Sequence, residues 1–290
     1  MVTTRSTSKK PAPTTAKDVL WYIPNVIGYG RIVCVLVSWI LLLLGQSPQG
    51  LTLLGGSSNT IVASLVISTS LALVLYICGF VGDLFDGMMA RKFQQTSQFG
   101  GVLDMITDRC STLGLLYLLG QEGSAVPVDY SGNERWSISN YPFVFSGLCL
   151  FLQVLDIASH WLQMHSSLLL GNLHHKSAQG NLQKHFLVQW FYQYYYFFGY
   201  LCVGAEFTYI LLFLRQRLFT LLYYQQQQAL ETSYAWLTSL VPYINIALMV
   251  TGPGCIAKQA VNVMQLLSSC YAIAQADADE KNNKKTSKDQ

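Results

Sequence analysis

Four aspartates stand in two pairs within the stretch DLFDGMMARKFQQTSQFGGVLDMITD: Asp83 with Asp86, and Asp104 with Asp108. Residues three and four apart share one face of a helix. Asp83, Asp86, Gly87 and Ala90 therefore line one face of a first helix. Gly100, Asp104 and Asp108 line one face of a second, with Ser111 and Thr112 a turn further on. Both acidic faces also carry residues without bulk. These let a large ligand approach the backbone and offset the roughly 1 kcal/mol that a helix-interior glycine costs. Four converging carboxylates near lipid repel one another and lose solvation, so they neutralise or find a cation. Only Arg91 and Lys92 follow the first pair, which makes divalent metal the simpler counter-charge. Hard oxygen donors in this number suit Mg²⁺ or Mn²⁺. Two such ions form a clamp for phosphoryl chemistry, bridging pyrophosphate oxygens and stabilising the leaving group. One carboxylate can take the proton of an attacking hydroxyl; Asp108, deepest along its helix, is the candidate. Charges solvated at helix ends would account for one acidic pair, but not for four acids on matched faces beside glycines.

The elements that position these acids are membrane helices. A chain of 290 residues has room for one or two soluble domains, but 51% of it is hydrophobic and only 11% charged. Soluble domains carry about 25% charge. The expected fold is all-α and integral to the membrane, with six transmembrane helices after a short N-terminal interfacial segment at Lys17–Tyr22. The spans fall near Asn25–Leu44, Thr60 into the motif, Ser97–Gly120, Phe143–Leu170, Leu187–Leu214 and Leu240–Ala272. Pro24 suits the start of the first, and Asn25, Gly28 and Arg31 fall on one polar face of it. Gln225 to Gln228 mark a loop. Residues 1–16 read as a disordered tail, 17–274 as one six-helix catalytic domain without repeats, and 275–290 as a charged tail. No cleavable signal peptide is expected, because the first twenty residues lack an apolar core. The seven cysteines show no CxxC spacing and read as small apolar packing residues. A net charge of +3 without a basic patch excludes a nucleic-acid partner. Lys and Arg concentrate in the N-terminal segment, the Arg91–Lys92 turn, the 171–186 connection and the tail. The alternate loops hold Arg135, Arg215 and Arg217. Both termini and the acidic motif should therefore face the cytoplasm.

The spacing D-x2-D-G-x2-A-R-x8-G-x3-D-x3-D resembles the signature of the CDP-alcohol phosphatidyltransferase family. The match holds at Asp83, Asp86, Gly87, Ala90, Arg91, Gly100, Asp104 and Asp108. The resemblance implies that Asp83, Asp86 and Asp104 hold metal, that Asp108 shares the second ion, and that Asp108 is the general base. It also implies a nucleotide site at Gly87, Arg91, Ser97 and the Asn25–Gly28 turn. A guanidinium beside a metal-bound pyrophosphate is favourable electrostatics, whereas the plain alternative for Arg91 is a helix-end charge on lipid phosphate. Asn25 has an alternative role as a helix cap. The family resemblance further implies a homodimer, which close packing through small residues permits.

Two further stretches, WYIPNVIGYGRIV at 21–33 and LDIASHWLQMHSS at 155–167, resemble eukaryotic phosphatidylinositol synthases, and CVGAEFTYILL at 202–212 does so more loosely. The implied reaction transfers the phosphatidyl group of CDP-diacylglycerol to myo-inositol and releases CMP, with endoplasmic-reticulum residence. A phosphorylated acceptor would need positive charge near the site. The later spans hold no arginine at their cytoplasmic halves, and only Lys258, Lys176 and Lys184 are at hand, which favours a neutral polyol. Asp156, Ser159 and His160 share a face of the fourth span and could hydrogen-bond inositol hydroxyls; alternatively, Asp156 and His160 pair only to orient that helix. Glu206 and Arg109 are candidates to pair, without an assigned role. Other readings are the same chemistry with serine, glycerol phosphate or a CDP-alcohol donor, and, in another class, a divalent-cation transporter. A transporter needs ligands at the bilayer midplane and repeated halves, and neither is visible here.

Overall fold

The computed structural model describes residues 15–46, 50, 53, 61–125, 142–173, 195–227 and 235–286. The described elements are helical throughout. A short α1, Ala16–Leu20, precedes α2, Ile23–Leu44, and α3, Ile61–Lys92. There follow α4, Gln98–Ala125, α5, Pro142–Leu173, α6, Tyr195–Gln227, a 3₁₀ turn at Ala235–Leu240, and α7, Val241–Thr286. Thr15 opens α1 with a capping box: its backbone N–H and its hydroxyl donate to the Asp18 carboxylate at 2.8 and 2.7 Å. Those bonds hold the Asp18 carboxyl below its ordinary range. The segment expected at the interface is this helix, and the residues before Thr15 lie outside the described ones.

Six spans are expected; among the described residues four helices are both long and apolar enough to cross a bilayer: Ile23–Leu44, Val62–Lys92, Phe143–Leu169 and Phe197–Leu221. They make this an integral membrane protein. The α4 and α7 helices, of 28 and 46 residues, have the length but not the composition. Asp104, Asp108, Arg109 and Glu122 all fall within α4, and Lys258, Asn262 and Gln265 interrupt α7. The fifth span does not end at Leu214. α6 runs on through Arg215, Arg217 and the glutamines to Gln227, since glutamine is a good helix former. Arg215 and Arg217 are therefore helix residues rather than loop charges. The expected start of that span at 187–194, and the connection bearing Lys176 and Lys184, lie outside the described residues. The charged tail continues α7 to Thr286.

α2 and α3 pack antiparallel. Ser38 donates to the Ala72 carbonyl at 2.8 Å at one level, and Arg31 to the Gly79 carbonyl at 3.1 Å at another. The core between α2, α3, α4 and α6 is filled by Leu42, Tyr76, Leu115, Leu119 and Phe213, with Cys149 and Cys255 as small apolar fillers in the same cluster. All seven cysteines are free. α6 meets α7 across Gly204 and Gly254, where a Cβ would come within 3.3 Å of the Thr251 carbonyl and 3.1 Å of the Tyr200 ring. At the end of the bundle remote from the aspartates, Arg217 is fully buried and donates to the Gly45 carbonyl at 2.9 Å and the Leu42 carbonyl at 3.2 Å. It thereby satisfies the last carbonyls of α2, and it pairs with Glu122 at 3.3 Å.

Candidate active site

The acidic motif is a helix-turn-helix. α3 ends at Lys92, and Gln94 takes a left-handed conformation (φ 53°) that turns the chain before α4 starts at Gln98. Gln95 pins this turn to α2, its side-chain oxygen accepting from the Ile23 N–H at 3.0 Å. The start of α2, the end of α3 and the start of α4 are thus held together, and the matched acidic faces meet.

The counter-charge between them comes from α2. The Arg31 side chain is 4% exposed and touches all four aspartates: Nη1 lies 3.2 Å from Asp83, 2.5 Å from Asp86 and 2.8 Å from Asp104, and Nη2 contacts Asp108. Its Nε donates to the Gly79 carbonyl. Glycines make room for it: a Cβ on Gly82 would sit 2.8 Å from Arg31 Cγ. Arg91 and Lys92, the basic residues that follow the first acidic pair, are exposed and outside this contact. The polar stripe of the first span was legible in the sequence. That its arginine reaches the acids was not, because the partner lies across a helix interface.

Guanidinium contacts do not use up the acids. Asp83, Asp104 and Asp108 each present an oxygen within 4.8 Å of the others, a spacing open to a shared cation. Hard carboxylate donors at this density fit Mg²⁺ or Mn²⁺.

Two cavities meet at this cluster. A cleft of about 220 Å³ is lined by Asn25, Gly28, Asp86, Gly87, Ser97 and Gly100, and reaches Asp104. It gathers the residues expected to hold a nucleotide, except Arg91. That residue is exposed, with its guanidinium beside Gly87, where a Cβ would stand 3.7 Å from Nη1. Gly100 is required by close approach: a Cβ there would lie 2.9 Å from Asn25 Oδ1 and 3.1 Å from Ser97 Oγ. Asn25 itself ties α1 down, donating to the Val19 carbonyl at 2.6 Å.

The second cavity, about 530 Å³, runs inward from Asp83, Asp104 and Asp108 to α5, α6 and α7. Its polar wall is Arg109, Asp156, His160, Gln163, Lys258 and Gln259. Arg109 Nη1 donates to both Asp156 oxygens, at 2.8 and 3.0 Å. Arg109 also lies 3.8 Å from Asp108. The expected Arg109–Glu206 pair is therefore replaced, because α5 presents a carboxylate at the level of Arg109. Glu206 instead accepts from the Tyr76 hydroxyl, and from Thr112 at 3.1 Å. Thr112 and Ser111 also donate to the Asp108 carbonyl, at 3.1 and 2.8 Å. His160 Nδ1 is 2.8 Å from the Asp156 carbonyl, which only accepts, so Nδ1 carries the proton and Nε2 faces Lys258 at 3.4 Å. Asp156 and His160 line the cavity, but Ser159 does not: it is fully buried and donates to the Asp156 carbonyl at 3.0 Å.

This arrangement has relatives. A model of the family described as CDP-alcohol phosphatidyltransferase matches residues 21–165. The chain is 33% identical over 265 residues to the CDP-diacylglycerol–inositol 3-phosphatidyltransferase 1 of Arabidopsis thaliana, an alignment covering 89% of this chain and 92% of that one. It is 30% identical to the Saccharomyces cerevisiae CDP-diacylglycerol–inositol 3-phosphatidyltransferase, over 96% of this chain and 98% of that one. The Homo sapiens protein of that name is 28% identical, over 93% of this chain and 99% of that one. No solved structure matches. Similarity of this extent takes in the acidic helix-turn-helix together with the helices that wall its two cavities, and the chain belongs to the CDP-alcohol phosphatidyltransferase family.

Proposed function

We propose that the protein transfers the phosphatidyl group of CDP-diacylglycerol to myo-inositol, giving phosphatidylinositol and CMP. The observation that carries this reading is the place of Asp104 in the walls of both cavities. One side suits a nucleotide and the other a small polar acceptor, with the carboxylates between. The names of the relatives support CDP-diacylglycerol as donor and inositol as acceptor.

In this reading Asn25, Gly28, Gly87 and Ser97 border the cytidine diphosphate, and Arg91 lies at the edge of that cleft. Asp156 and His160 receive the acceptor. Arg109, Lys258 and Gln259 add donors and acceptors around a ring of hydroxyls, while Ser159 positions the turn that carries Asp156. Arginine is present in this wall after all, but Asp156 neutralises it, and Glu206 adds a further acid. The balance supports a neutral polyol over a phosphorylated one. An inositol hydroxyl oxygen bonds to the lipid-linked phosphorus as the bond to CMP breaks, and the CMP phosphate leaves with the electron pair. Asp108, engaged with Arg31 through one oxygen, takes the hydroxyl proton on the other. Two Mg²⁺ or Mn²⁺ ions held by Asp83, Asp86, Asp104 and Asp108 would supply neutralisation of the diphosphate charge. The catalytic unit is residues 17–274, with α4 and α7 completing six spans. It works as a homodimer in the endoplasmic reticulum membrane, with the aspartates at the cytoplasmic side.

The test offers purified protein CDP-diacylglycerol with labelled inositol, serine or glycerol phosphate. Label should enter lipid from inositol alone, be lost on chelation and return with Mn²⁺. Incorporation of serine or glycerol phosphate in its place would overturn the assignment.

A further inference from the structure

We infer that Arg31 is a built-in counter-ion of the aspartate cluster, a positioning residue that competes with divalent metal for the carboxylates and so sets how tightly metal binds. The inference rests on the reading of the four aspartates as a metal site. Arg31 touches each of the four, and its Nε bond to the Gly79 carbonyl anchors it from behind. Its stem is confined by Gly82, where even a methyl group would clash. The guanidinium is therefore held at the cluster instead of sampling solvent. Arg109, the other arginine near Asp108, is committed to Asp156 at 2.8 Å, which leaves Arg31 as the cation devoted to the cluster among the described residues.

The charges give this arrangement a direction. One guanidinium against four carboxylates leaves three negative charges, enough to draw divalent ions. Metal must nevertheless bind beside a fixed positive charge, among carboxylates that Arg31 already holds in charge-assisted hydrogen bonds. Without metal, the same guanidinium relieves carboxylate repulsion and keeps the helix faces of α2, α3 and α4 together. Arg31 thus stabilises the metal-free protein and weakens metal binding through one set of contacts.

The test measures Mn²⁺ affinity by paramagnetic resonance, and thermal unfolding with and without Mn²⁺, on purified full-length protein. Arg31→Gln should tighten Mn²⁺ binding by a factor in the roughly 5–150-fold range of coupled sites. It should also lower the unfolding temperature of the metal-free protein, and saturating Mn²⁺ should raise that temperature by more than it does in the parent. Arg31→Lys keeps the charge but cannot reach all four carboxylates, so its Mn²⁺ affinity should fall between the two. If the glutamine variant does not fold, the lysine variant alone decides. Affinity unchanged or weakened in the variants overturns the role of Arg31. Failure of the parent protein to bind Mn²⁺ overturns instead the metal reading beneath it.

Discussion

Asp108 and Asp83 differ in what each carboxylate has left to offer. Both line the larger cavity; Asp108 engages Arg31 through one oxygen and has its own carbonyl held by Ser111 and Thr112. Asp83 lies across on α3, 3.2 Å from Arg31. With Asp108 as the base, Asp108→Asn should lower turnover by at least the roughly 10²–10⁴-fold typical of general-base loss, while CDP-diacylglycerol still binds measurably at saturating Mn²⁺. Asp83→Asn should damage donor binding and turnover alike. Equal loss of donor binding in both would make Asp108 a metal ligand alone. Gly100 gives a second residue-level expectation. An alanine gains about 1 kcal/mol of helix propensity, but its Cβ would meet Asn25 Oδ1 at 2.9 Å. Gly100→Ala should therefore raise the KM for CDP-diacylglycerol while leaving the KM for inositol unchanged. Steady-state kinetics with each substrate varied in turn will check this.

Among the elements, α6 joins the two ends of the bundle. Near its start Glu206 receives Tyr76 of α3 and Thr112 of α4; further on, Arg217 reaches the last carbonyls of α2. Glu122 completes the remote cluster, pairing with Arg217 at 3.3 Å and accepting from Thr220 at 2.7 Å. Removing one partner of a buried pair leaves an uncompensated charge and costs about 3–5 kcal/mol. Glu122→Gln should accordingly lower the unfolding temperature in detergent. The KM values for both substrates should hold, since this cluster lies at the far end from the aspartates. A changed KM with an unchanged unfolding temperature would contradict that division of labour. The sequence hides the continuation of α6, because its arginines and glutamines look like a loop by hydropathy. Tertiary burial of Arg217 offsets that polarity and lets the helix continue.

For the molecule as a whole, the bias of basic residues gives the expectation that the aspartate end and both termini face the cytoplasm. A C-terminal tag should be cleaved by protease added to sealed microsomes; protection until detergent is added would reverse the orientation. Arg215 and Arg217 lie within α6, so they do not count as loop charges in that expectation. The acidic motif and the two helices that bear it can be read from the residues alone. Spacings of three and four residues become one helix face by geometry alone, so Asp83, Asp86, Asp104 and Asp108 could be read as a converging set. Long apolar runs likewise determined the membrane character, since hydropathy is local. The partners of these side chains follow from the packing of the helices. It set Arg31 among the acids, gave Arg109 to Asp156 rather than Glu206, turned Ser159 away from the cavity and opened both cavities onto Asp104. Each of these depends on which faces of helices distant in sequence turn toward one another, and no period within a single helix records that choice.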